Sequence, residues 1–344
     1  MINLNAKKYE TIDGLRTISC IGIVLMHILD NGKYILPKTP TLIISCLTNF
    51  VFLFMTISAF CMCCGYFDKF KSNKISVVEF YSKRVNKLLP FFLFLIIIDI
   101  IVEHSIPSII EGFADSTLLF GLLQKNITVI GVGWFLGLIF IFYLIFPYFV
   151  YLFSNKKRAW FTTIVSILMT LSCIYYFHVD RVNMFYSFIY FCIGGLIFLY
   201  KDSISKFFQK SRIIGILFIV TSIIVYFVQP MKNEYTILLK TILASTSLLC
   251  YAISYNSIVL KNKITRFIGN ISFEIYLCHM VVFRVLERLK LINMIDNSWF
   301  SYILTFLLVM FGSVIISTVF KKLYSIIMNK LYSRKGALLC QKKN

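Results

Sequence analysis

Ten stretches of this 344-residue chain are apolar over the length a helix needs to cross a bilayer, about 20 residues for a hydrocarbon layer about 30 Å thick. They run approximately over 12–30, 41–66, 87–104, 131–153, 160–178, 183–200, 212–228, 235–258, 268–289 and 298–320. No water satisfies backbone N–H and C=O groups in that layer, so each stretch must form a helix or join a closed barrel. The runs are continuous rather than alternating residue by residue, which argues against barrel strands. The sequence therefore predicts an all-α polytopic integral membrane protein with about ten transmembrane helices. With 59% of residues hydrophobic and 15% charged, a soluble core is not expected. One membrane-embedded domain over 1–344 is, with no appended soluble domain.

Charge tests the layout independently. Most of the 35 Lys and Arg fall on one side of the ten spans: Lys7, Lys8 and Arg16, the group from Lys69 to Lys87, Lys156 to Arg158, Lys201 to Arg212, Lys261 to Arg266, and Lys321 to Lys343. The positive-inside rule makes that side cytoplasmic, with both termini on it. The net charge of +20 is then largely topology. Nucleic-acid binding is not expected, because no soluble basic domain exists to carry it. The first span is read as a helix rather than a signal peptide, since no small-residue cleavage site follows "LMHILDNGKY". The ten Cys lie nearly all within spans, which argues against a disulfide framework. Cys61, Cys63 and Cys64 read as buried small residues, with palmitoylation or metal binding as alternatives.

Two connections have character of their own. "KISVVEFYSKRVNKLLP" reads as a helix on the inner surface, ended where Pro90 opens the third span. In the connection 105–130, "TLLFGLL" is too short to span and is expected to dip into the interface.

Polar residues inside the layer are costly and face a bundle interior or cavity. In "IDGLRTISCIGIVLMH", Arg16 and His27 are eleven residues apart, a net rotation of only about 20° and a rise of about 16 Å on a helix. They share a face, with Arg16 at the cytoplasmic surface and His27 deep in the layer. Desolvation favours a neutral imidazole able to accept a proton. The alternatives are a histidine bonded to a neighbouring helix and an arginine anchored beside Asp13. In "RFIGNISFEIYLCHMVVF", Ser272, Tyr276 and His279 share another face, either as helix-packing groups or as a polar site. Glu274 is expected to point elsewhere on that helix, and Asp99 lies near the outer end of the third span; either is read as paired structurally or as lining a route for substrate. Arg84 and Lys87 present two cations on one face, suited to the phosphates of a ligand or of anionic lipid. No metal site is expected.

Taken together these segments resemble acyltransferase family 3, membrane acyltransferases that commonly O-acetylate bacterial surface polysaccharides, over nearly the whole chain. "IDGLRTISCIGIVLMH" is similar to the family's opening signature, and "FVFLFMTISAF" to its second-helix motif, with Ala59 where Gly is usual. "YSKRVNKLLP" resembles its basic pair before Leu-Pro, with Lys87 in the second arginine position. "GWFLGLIFIFYLIFP" resembles its Trp-centred helix, and "IGNISFEIYLCHMVVF" its late helix ending in histidine. Many members carry a Ser and acidic residues after that Trp. Here Phe135, Ile139 and Phe140 stand there, so no carboxylate is available.

The resemblance implies a multi-pass protein of the bacterial inner membrane that moves an acyl group, acetyl above all, from cytoplasmic acetyl-CoA to a hydroxyl of a cell-surface or lipid-linked saccharide. It implies no permanently bound cofactor. Arg16 and His27 become the residues for acyl-donor binding and proton transfer, and Arg84 and Lys87 those for the donor's phosphates. His279, Tyr276 and Ser272 become supporting or acceptor-side groups. Direct transfer and an acyl-enzyme both remain open. The rival readings are a transporter or flippase for a lipid-linked sugar and a noncatalytic export-assembly protein. The first gives no reason for the register of Arg16 and His27 together with the basic pair.

Overall fold

The computed structural model describes residues 9–122, 131–228, 233–292 and 297–341, with side chains through residue 330. Lys7, Lys8 and residues 123–130 of the long connection lie outside them. Among the described residues there is no strand, and nine helices are long and apolar enough to cross a membrane. These are α1 (Glu10–Asn31), α2 (Lys38–Lys71), α3 (Val77–Glu103), α4 (Gly131–Leu152), α5 (Lys156–Phe177), α6 (Met184–Lys210), α8 (Glu234–Ser254), α9 (Lys263–Arg288) and α10 (Ser298–Gln341). Between α6 and α8 runs the shorter α7, Arg212–Val228. The ten apolar stretches thus each become a helix, and successive helices alternate in direction.

Contacts between distant helix ends fix which ends lie together. At one end, Glu10 of α1 meets Lys261 and Arg266, each at 3.0 Å, at the start of α9. At the other, Arg288 of α9 approaches Glu103 of α3 at 3.7 Å, and Tyr34 donates to Thr305 of α10 at 2.8 Å. The first end gathers most of the described Lys and Arg and is called the basic end.

Burial divides the helices into a centre and a rim. In α1, 72% of the apolar window is buried, against 22% in α5 and in α10. Glycine makes the central contact of α1 with α9 possible, as in membrane helices whose backbones approach closely. A Cβ at Gly14 would fall 2.3 Å from the Leu260 carbonyl oxygen, and one at Gly269 would fall 2.2 Å from that of Asp13. Thr17 then donates across the contact to the Thr265 carbonyl at 2.7 Å.

One local expectation is corrected. The segment before Pro90 is no separate surface helix, because α3 runs unbroken from Val77 to Glu103 with Pro90 inside it. Ser76 caps it by accepting from the Glu79 amide at 3.1 Å. Proline forfeits one backbone donor, a loss that packed membrane helices absorb locally. In the described part of "TLLFGLL", Leu118 and Phe120 are buried and Gly121 lies against Gly137 of α4, while Leu119 and Leu122 are exposed. The preceding short helix Ile106–Ser116 adds an exposed apolar face through Ile106, Ile109, Ile110 and Phe113. Within α2, a 3-10 turn at Leu47–Asn49 and a π turn at Cys63–Phe67 interrupt the α-helix, and both adjoin the polar sites.

Candidate functional site

The site begins at Arg16, whose position follows from the glycine contact just described. With α1 pressed against α9, Asp13 is buried, and it receives the Arg16 Nη1 hydrogen bond at 3.2 Å. Arg16 Nη2 reaches the Cys61 thiol at 3.3 Å. The guanidinium is thereby aimed into a cavity between α1, α2, α3, α4, α9 and α10, which Lys87, Ser272, Glu274, Tyr276 and Lys321 also line. Lys87 has no hydrogen bond or ion pair among the described residues. Glu274, expected to point away, faces this cavity and is paired with Lys321 at 3.0 Å. The reason is tertiary: α10 packs on α9 and presents Lys321, whose Nζ also donates to the Asn270 carbonyl at 2.6 Å.

The cavity measures about 190 Å³. Pockets that enclose a drug-sized ligand run from about 300 to 1,000 Å³. It therefore admits an extended chain or a small group and leaves anything as large as a nucleotide outside. Its inner limit is aromatic. Phe54, Phe135 and Tyr276 meet with ring centroids 5.3 to 6.3 Å apart, so Phe135 helps close the cavity.

Behind Tyr276 lie two imidazoles. His27 of α1 and His279 of α9 face each other with ring centroids 5.3 Å apart. The close approach of α1 to α9 brings together two residues that the sequence could assign only to separate helices. His279 is fully buried, and its Nδ1 lies 2.7 Å from the Tyr276 carbonyl. A carbonyl only accepts, so Nδ1 carries the proton and Nε2 holds the lone pair. That Nε2 is buried without a partner. His27 is half-buried, and its ring makes no hydrogen bond to the described residues.

The remaining candidates separate by role. Tyr276 donates its hydroxyl to the Val132 carbonyl at 2.8 Å, and Ser272 donates to Gly269 at 2.9 Å, so both hydroxyls are engaged in packing. Arg84 does not line the cavity. Its guanidinium donates to the Tyr66 hydroxyl and to Met62 Sδ and lies over the rings of Tyr66 at 4.7 Å and Tyr143 at 5.7 Å. Tyr143 does line the cavity and shares a 3.0 Å hydrogen bond with Ser58. Of the basic pair, Lys87 faces the cavity while Arg84 braces its wall. Asp99 lies 4.0 Å from Arg284 at the opposite end.

Sequence reasoning missed Arg181. It sits in the short connection between α5 and α6, over the Trp134 ring at 5.5 Å and bonded through Nη1 to the Thr48 hydroxyl at 2.9 Å. The available signal was topological: "HVDRVN" places a charged pair on the side that the basic residues otherwise avoid.

A protein-family model described as an acyltransferase domain matches residues 9–322. No curated protein and no solved structure matches the chain.

Proposed function

The chain belongs to acyltransferase family 3, and from that premise we propose that it O-acetylates a saccharide hydroxyl with acetyl-CoA as donor, at the inner membrane of a bacterial cell with its basic end cytoplasmic. The observation that carries this reading is the sequence of groups along one path. A cation-lined cavity of chain-like dimensions leads from Arg16 and Lys87 to an aromatic limit, and a pair of imidazoles with free lone-pair capacity lies just behind it.

In this reading the donor's phosphates stay at the mouth, drawn by Lys87 and Arg16, while Arg84 holds Tyr143 in the cavity wall. The thioester arm fills the cavity and passes Phe54 and Phe135 to bring its carbonyl to His27. The acceptor hydroxyl attacks the carbonyl carbon as His27 takes its proton, the ordinary work of a general base. The carbon–sulfur bond breaks, and the departing thiolate recovers the proton from the imidazolium. The products are the acetyl ester and free CoA thiol. His279, its lone pair directed by the Nδ1 bond, holds His27 or the hydroxyl in place. The aromatic trio keeps water from the thioester. Membrane lipid surrounds the rim helices.

The test is thiol release. Purified protein in detergent is given acetyl-CoA with and without de-O-acetylated envelope polysaccharide from the cells that carry it. The expected result is CoA thiol formed in proportion to ester gained by the polysaccharide. Transport of a lipid-linked sugar without any thiol release would favour the flippase reading instead.

A further inference from the structure

A second cavity, of about 490 Å³, opens at the end opposite the basic one. Three separate elements build it: the start of α2 through its 3-10 turn, the connection before α6, and the first turn of α8. Asn49, Thr48, Asp180, Arg181, Tyr186 and Glu234 supply its polar lining. Its volume lies within the range of small-molecule sites, about 300 to 1,000 Å³.

The polar groups are arranged rather than scattered. Arg181 donates from Nη1 to the Thr48 hydroxyl at 2.9 Å and has no carboxylate within ion-pair distance among the described residues. Glu234 accepts the Tyr186 hydroxyl on Oε2 at 2.8 Å, and Asp180 accepts the Val182 amide on Oδ1 at 3.0 Å. Each carboxylate thus has one oxygen engaged by the fold. The other takes no hydrogen bond from a described residue. The guanidinium is a fixed fork of donors. A ligand rich in hydroxyls, which both donate and accept, satisfies carboxylates and guanidinium together. An anionic ligand meets two carboxylates against one cation, and like-charge juxtaposition is costly. An acyl chain would leave all of these groups desolvated and unpaired.

A chain of ring contacts joins this cavity to the imidazole pair: Arg181 lies over Trp134 at 5.5 Å, Trp134 meets Phe135 at 6.1 Å between centroids, Phe135 meets Tyr276 at 5.3 Å, and Tyr276 meets His279 at 6.0 Å. We infer that the cavity seats the acceptor as a neutral, polyhydroxylated sugar, held by Asp180 and Glu234, and that Arg181 is the positioning residue that directs the reacting hydroxyl to His27. The inference rests on the acyl-transfer reading above and adds to it where the saccharide is seated, that it is uncharged, and which residue positions it.

The experiment uses the full-length protein in detergent, acetyl-CoA, and the de-O-acetylated envelope polysaccharide as acceptor. The double variant Asp180→Asn with Glu234→Gln should raise the acceptor KM about tenfold or more, as expected when charge-assisted hydrogen bonds are weakened. Its kcat should stay within about threefold, and CoA binding by titration calorimetry should be unchanged, which shows that the variant is folded. Arg181→Lys keeps the charge but loses the fork, so it should lower kcat about tenfold with a smaller change in acceptor KM. An unchanged acceptor KM in the double variant overturns the inference. So does a gain in rate, which would mark an anionic acceptor. If the unaltered protein releases no thiol in response to the polysaccharide, the saccharide reading fails and takes this inference with it. Release that the variants leave untouched removes the inference alone.

Discussion

The two cavities differ in how they are charged and in how they are assembled. At the basic end, Arg16, Lys87 and Lys321 outnumber the single lining carboxylate, Glu274. At the opposite end, Asp180 and Glu234 outnumber Arg181. The first lies deep between helices, bounded by side chains that project from helix interiors. The second is made from helix starts and a connection. Between them stand Phe54, Phe135, Tyr276 and the facing imidazoles of His27 and His279. A protein that joined a polyanionic donor to a hydroxyl-rich acceptor would need opposite charge balances on the two sides. That is the arrangement the two cavities have.

The strongest test of the partition is His27→Ala. The side chain is half-buried and bonded to nothing among the described residues, so its removal should leave the protein inserted and folded. Transfer should drop by about 10² to 10⁴, the usual share of a general base. Thiol release and ester formation at equal protein level check it, and full activity would remove His27 from the chemistry.

Gly269→Ala tests whether the partition depends on the contact of α1 with α9. The added Cβ would fall 2.2 Å from the Asp13 carbonyl oxygen, which is backbone and cannot swing aside. Overpacking of this kind costs about 1 to 3 kcal/mol. The thermal midpoint in detergent should fall, and transfer should fall with it as His27 and His279 separate. An unchanged midpoint would mean that the helices sit further apart than described.

Lys87→Ala sharpens the contrast between cavities. It removes a cation with no partner of its own, so stability should hold while the acetyl-CoA KM rises about tenfold, the loss of roughly one charge-assisted contact. The acceptor KM should not move. Equal rises in both constants would show that the two cavities are not separate binding sites. One turn earlier, Lys83 provides the comparison with the smallest effect. It pairs with Glu79 at 2.6 Å where both side chains are about half exposed, and such pairs contribute about 0.3 to 0.5 kcal/mol. Lys83→Ala should leave both KM values and the thermal midpoint within error. A donor KM effect as large as that of Lys87→Ala would extend the donor surface out of the cavity.

Legibility followed the length scale of each interaction. The register of Arg16 and His27 was readable because helix geometry relates residues eleven apart without reference to anything else. The meeting of His27 with His279 was not, because it depends on Gly14 and Gly269 bringing two distant segments together. Whether Glu274 is paired structurally or lines a route for substrate was left open, because its partner Lys321 comes from a helix 47 positions away in sequence. The separate roles of Arg84 and Lys87 were hidden for the same reason. Their shared helical face was visible, but not that Tyr66 and Tyr143 would enclose one of them and leave the other facing a cavity.

By itself the sequence determined that this is a multi-pass helical membrane protein, how its ten apolar stretches divide the chain, and which family it belongs to. Those properties come from transfer of apolar segments out of water and from local spacing, and each is a sum over neighbouring residues. Tertiary structure alone decided that the polar residues form two cavities of opposite charge balance on either side of an imidazole pair. Inside a bilayer, helices gain little from hiding apolar surface from one another, so their pairing depends on close packing at a few small residues and on scattered hydrogen bonds. Those contacts join positions hundreds of residues apart, and no local pattern records them.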